Sequence, residues 1–221
     1  MGDDEFVIPR KEDILFASNR AAWHMDAMLD YRSGDDYAYR QGYRRAGRIL
    51  TEYASERREV DFLVYPICHA YRHYVELSLK GLIAHGCRVV GREMSESELK
   101  LCTTSHNLRA LWDAFKIVEE EVSEGTGSET PPLEQLEGID AYIDQLHAVD
   151  AASFSFRYAL TKKGDVALGT IERINLGQFS DHMEGLCNYL EGWGSYYADL
   201  IQATHDMYSD FGDPMFGDSG D

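Results

Sequence analysis

The sequence predicts a mainly α-helical protein. Three observations predict it. Apolar residues recur at three- and four-residue steps through most of the 221 positions, alternation is confined to one short stretch, and glycine, proline and acidic clusters cut the pattern into helix-length pieces.

The elements follow in order. Residues 1–34 read as irregular or weakly helical, and Ser33-Gly34-Asp35 breaks the chain with Asp35 as an N-cap. From Asp36 to Arg58, Tyr39, Tyr43, Ala46, Ile49, Leu50 and Tyr53 make one buried helical stripe. A second helix spans Asp61 to His85, with Pro66 at its first turn or at a kink and Gly86 as a left-handed cap. A short helix is expected over Glu96 to Leu101, and another from His106 to Val122 capped by Ser105. Residues 119–131 are acidic, hold no base and read as a flexible loop. Pro132 opens a helix to Val149. In 153–175, Phe154, Phe156 and Tyr158 alternate ahead of a Lys163-Gly164-Asp165 turn, which predicts a small β-hairpin between the last two long helices. Helical spacing returns from Gln178 to Met207. The organisation expected is one helical domain over 35–207, followed by a disordered acidic tail over 208–221.

Charge narrows the function. With 21 Lys and Arg against 39 Asp and Glu, the formal charge is −18, which opposes indiscriminate binding to phosphate backbones. Any nucleic-acid contact must be local. The chain shows no apolar run of 18 residues, and its first 30 positions are rich in charge, so neither a membrane span nor a secretory signal is expected. Cys68, Cys87, Cys102 and Cys187 are widely spaced with no Cys-x-x-Cys pair, which points to free thiols in the cytoplasm.

The helix over Asp61 to His85 carries the chemistry. At 100° per residue, Leu63, Ile67, Tyr71, Tyr74, Val75, Ser78 and Leu82 share an apolar face, while His69, Arg72, His73, Glu76 and Lys80 fall on the opposite side. Such a stripe is ordinarily a solvated face, held by Arg72–Glu76 and Glu76–Lys80 pairs worth tenths of a kcal/mol. It also supplies imidazoles that move protons and a guanidinium that binds phosphate, the minimum for cleaving a phosphodiester without metal. His69 and His73, spaced i to i+4, could share a cation with Glu76, making a metal-dependent hydrolase a third reading. Ala70 stands where a metallopeptidase helix has its glutamate, and the favoured reading calls for no metal and no cofactor.

Tyr71-Arg72-His73-Tyr74-Val75-Glu76-Leu77-Ser78-Leu79-Lys80-Gly81-Leu82-Ile83, followed after a gap by Ser105-His106-Asn107-Leu108-Arg109-Ala110-Leu111-Trp112, resembles the HEPN superfamily over Pro66 to Phe115. The resemblance lies in a helix with Glu and then Lys four residues on, and in a His-Asn-Leu start of the next helix. It implies an all-helical HEPN-like bundle of four to five helices, here with the hairpin inserted, usually working as a homodimer. It also implies RNA or nucleotide binding, and in many members metal-independent endoribonuclease activity in bacterial toxin–antitoxin and phage-defence systems. Those ribonucleases carry an Arg, four to six residues, then a His. This chain has no such pair, since Arg20 to His24 has three intervening residues and Arg173 to His182 has eight.

In the catalytic reading, His73 or His106 is the general base, Arg72 and Arg157 hold phosphate, and Glu76 orients a neighbour. His69, Lys80, Arg44 and Arg48 are the ligand-binding candidates. The two arginines belong to a basic stretch interleaved with tyrosines, suited to phosphate and to stacked bases. A rival reading is a non-catalytic acidic module that engages a basic protein partner, as an antitoxin or a nucleic-acid mimic.

Overall fold

The computed structural model describes residues 10–29, 37–128, 131–169 and 171–211, with side chains to 206. The chain divides into two units, Met1–Asp35 and Asp36–Asp221. In the first, Asn19 caps a 3₁₀ helix, Arg20–Met25, by accepting from the Ala21 amide at 3.0 Å, and none of that helix is buried. The predicted Asp35 cap lies outside the described residues.

The second unit is helical: α1 (Tyr37–Arg57), α2 (Val60–Val89), α3 (Glu96–Thr104), α4 (Leu108–Thr126), α5 (Leu133–Val149) and α6 (Leu176–Phe211). α2 is the axis, packed against α1, α4 and α6, with α5 resting on α4. Its Ile67, Tyr71, Tyr74, Val75, Leu79 and Ile83 are fully buried, meeting Leu111, Trp112 and Val118 of α4 and Leu186 and Tyr197 of α6 in one core. Burial of this apolar surface is the main drive for the fold, at roughly 25 cal/mol per Å².

Several expectations are corrected here. Gly86 does not end α2. It lies inside the helix, where a Cβ would collide with Val118 and come within 3.1 Å of the Tyr197 ring, so its role is close approach of helices. The left-handed residue is Gly91 (φ 72°), and a Schellman pair closes the end, Arg92 N–H to Cys87 O at 2.9 Å and Gly91 N–H to Arg88 O at 3.0 Å. α2 begins at Val60, so Pro66 lies beyond the first turn and the helix continues through it.

Asn107, not Ser105, caps α4, accepting from the Ala110 amide at 3.0 Å. Most of the expected acidic loop is helix. α4 runs to Thr126 because Val118, Val122 and Ser123 face the core while Glu120 and Glu124 face water. The hairpin expected over 153–175 is reduced, among the described residues, to one antiparallel bridge between Leu160 and Val166. Asp150 captures the Phe154 and Ser155 amides at 2.5 and 2.9 Å, which curls the first expected strand into turns. α6 extends through Phe211 into the expected tail, and 212–221 lie outside the described residues. No described helix is long and apolar enough to cross a membrane.

Candidate functional site

The polar stripe of α2 is not a solvated face. Its far side is covered by the start of α4 and by the turns after α5, so Arg72 is 0% and Glu76 1% exposed. Arg72 reaches three elements at once: Nη1 donates to Glu76 Oε2 at 2.8 Å, Nη2 to the His106 carbonyl at 2.6 Å, and Nε to the Asp150 carbonyl at 3.1 Å. Its Nε also lies 3.3 Å from Asp150 Oδ2. Every nitrogen of the guanidinium is occupied and dry. Arg72 therefore ties α2, α4 and α5 together, and the expectation that it holds phosphate is corrected.

Glu76 is the hub. Its Oε1 accepts from Lys80 Nζ at 2.9 Å and meets His106 Nδ1 at 2.8 Å, while Oε2 takes Arg72. Burial pushes the Glu76 carboxyl up, but hydrogen bonds from Lys80, Arg72 and His106 outweigh it and hold it at about 2. An ionised carboxylate can only accept, so the network assigns the proton at that contact to His106 Nδ1. The ring is half exposed, with its side chain 51% accessible.

His69 and His73 form a second group beside this hub. Their rings stack at 5.7 Å and 13°, the edge of Tyr43 from α1 meets His73 at 4.4 Å, and both Nδ1 atoms are buried without a hydrogen-bond partner. Burial lowers both pKa values. Arg157 and Arg72 push His69 further down, and for His73 the neighbouring imidazole of His69 together with Arg72 and Lys80 opposes Glu76. Both imidazoles are neutral near pH 7.

Arg157 is exposed on a turn, not on a strand, with Nε donating to the Ser153 carbonyl at 2.6 Å and its guanidinium 5.7 Å from the Tyr158 ring. The three aromatics consequently do not line one strand face: Phe156 is buried, while Phe154 stacks on exposed Tyr158 at 4.5 Å.

Arg44 goes elsewhere. Its guanidinium donates to Glu184, Glu191 and Asn188 of α6, with Nε 2.9 Å from Glu184 Oε2, and so clamps α1 to α6. Arg48 is exposed on a groove of about 280 Å³ shared with Gln41, Arg44, Arg45 and Glu184. The ligand role expected of Arg44 is thus taken by a structural one.

Three residues escape a reading of the sequence. Tyr43, expected only as part of a core stripe, packs on His73. Asp150 is legible only as a helix end, although it anchors an arginine 78 positions earlier. His147, on the last turn of α5, has a buried Nδ1 without a hydrogen-bond partner.

The metal reading loses its third ligand, because Glu76 is held by Arg72, Lys80 and His106. The two imidazole planes run parallel rather than converging, and no group of three His, Cys, Asp or Glu among the described residues is arranged to hold an ion. The chain matches no family model, and neither curated proteins nor solved structures give a match.

Proposed function

We propose that this chain is a HEPN-type helical bundle that binds RNA or a nucleotide at the face formed by His106, His69, His73, Lys80 and Arg157, and cleaves RNA there without metal. The observation that carries the reading is the Glu76–His106 pair. A buried carboxylate holds the ring at Nδ1 while the side chain stays half exposed, an arrangement suited to a carboxylate-oriented general base. The two segments on which the family resemblance rests meet at this contact, which supports the assignment.

In this reading, His106 Nε2 takes the proton of a ribose 2′-hydroxyl, the 2′-oxygen attacks phosphorus, and the bond from phosphorus to the 5′-oxygen breaks. A 2′,3′-cyclic phosphate and a 5′-hydroxyl result, the leaving oxygen taking its proton from water. Arg157 and Lys80 supply positive charge for the phosphate, and Glu76 positions His106. As in HEPN proteins, the working unit is a homodimer, which light scattering tests.

The deciding experiment incubates purified protein with mixed RNA in EDTA beside His106→Ala. Cyclic-phosphate products from the parent, reduced at least about a hundredfold in the variant, are expected of a general base. Equal background cleavage by both ends the catalytic part, and fluorescence anisotropy with labelled RNA tests binding separately.

The −18 charge and the missing Arg–His spacing favour one rival, an acidic module for a basic protein partner. Co-purification separates the two, since retained RNA raises absorbance at 260 nm whereas a stoichiometric basic protein does not.

A further inference from the structure

Residues 37–51, within α1, hold four arginines and no acid, in a chain of 39 acidic and 21 basic residues. Elsewhere in the fold arginines hold carboxylates: Arg72 those of Glu76 and Asp150, Arg92 those of Glu98 and Glu121, Arg109 those of Asp113, Asp140 and Asp144. Arg45 and Arg48 do not. Both are exposed, and neither forms a hydrogen bond, an ion pair or a ring contact among the described residues. They line one groove of about 280 Å³ with Gln41, Arg44 and Glu184.

Three guanidiniums meet one carboxylate there. Glu184 is already held by Arg44 Nη2 at 2.5 Å and by the Tyr71 hydroxyl at 3.1 Å, and Arg44 also donates to Glu191 and Asn188 of α6. Two positive charges are left without a partner. Arg48 stands three residues after Arg45 and four after Arg44, spacings that make neighbours on a helix, so these like charges repel and an anion between them relieves the repulsion. Among the described residues no aromatic or aliphatic side chain lines the groove, which offers no ring to stack on a base and no apolar wall for a hydrocarbon chain. What it can recognise is the anionic group itself.

We propose that the α1 groove binds a phosphomonoester dianion, with Arg45 and Arg48 donating to its oxygens. The choice of an anion follows from two guanidiniums with no counter-charge. The choice of a phosphomonoester follows from their number, because that group carries nearly two negative charges near pH 7 and offers three strong acceptor oxygens to the two forks. A phosphodiester, with its single charge, balances only half of the excess.

The test titrates methyl phosphate into the full chain at low ionic strength, where exposed charges are least screened, and follows the arginine Nε–H resonances by NMR. Those of Arg45 and Arg48 should shift saturably with a dissociation constant on the order of 1 mM, and dimethyl phosphate should bind at least about fivefold more weakly. Arg45→Gln with Arg48→Gln should abolish the saturable shift with unchanged circular dichroism, since neither side chain holds the fold. Arg57→Gln with Arg58→Gln removes the same charge from α1 and its end outside the groove, and should leave binding within about twofold. Uridine 5′-monophosphate and a 5′-phosphorylated oligouridylate, run alongside, separate a free phosphomonoester from an RNA end, because only the end gains affinity from neighbouring nucleotides. Equal affinity for dimethyl phosphate, equal losses in the two double variants, or failure of all three monoesters to shift Arg45 and Arg48 would overturn the proposal. Methyl phosphate has no ribose, so the result is independent of RNA cleavage at His106.

Discussion

Glu76 shows how much one buried carboxylate can carry. Its folded pKa of about 2 lies below the ordinary 4.5, so the stability it contributes is full above pH 4.5 and lost as pH falls toward 2. The contribution is on the order of 3 kcal/mol, and an acid melt of the parent against Glu76→Gln should show the variant losing less over that window. Near pH 7, Glu76→Gln should cost about 3 kcal/mol by urea unfolding, because the dry Arg72 guanidinium loses one of its two buried carboxylate partners and keeps only Asp150. His69 and His73 act in a different window. Their folded pKa values lie below the ordinary 6.5, so protonation favours the unfolded chain and stability declines as pH falls below about 6.5. Imidazole resonances followed by NMR should show both rings titrating below model histidine, and normal titration would remove the buried pair from the site. Legibility is uneven at this scale: the sequence places His69, Arg72, His73, Glu76 and Lys80 on one side of a helix, but does not tell a wet stripe from a dry one. That depends on whether α4 and the Asp150 turns lie over it.

At the scale of elements, the glycines separate local from tertiary demands. Gly86→Ala gains helix propensity yet collides with Val118 and crowds Tyr197, and a net loss of about 1–3 kcal/mol is expected from overpacking. Gly185→Ala, also inside a helix, meets nothing within 4 Å and should stabilise by roughly 0.5–1 kcal/mol. Paired denaturant melts check both, and equal effects would mean that Gly86 is not at a close contact. The helix spans of α1, α5 and α6 are readable because their apolar periods are regular. The end of α4 is not, since its acidic run masks Val118 and Val122. The 153–158 segment misleads for a related reason, because alternation of Phe154, Phe156 and Tyr158 cannot reveal that Asp150 takes the amides a strand would offer to a partner.

Across the whole molecule, the net charge of −18 opposes phosphate binding at any distance. If RNA is held by Arg157 and Lys80 alone, log affinity should fall with log salt at a slope of about −1.4, near −0.7 per contact. A slope several times steeper, read from anisotropy between low and moderate salt, would mean that the exposed arginines of α1 join the interface. What the sequence by itself determined was the helical class, the approximate spans of α1 and α5 and the side of α2 on which the ionisable groups stand, because these follow from local spacing of apolar residues. Only the tertiary structure decided that Arg72 is an anchor and that Glu76 holds His106. Burial and partner choice arise when distant segments are brought together, and no local period encodes them.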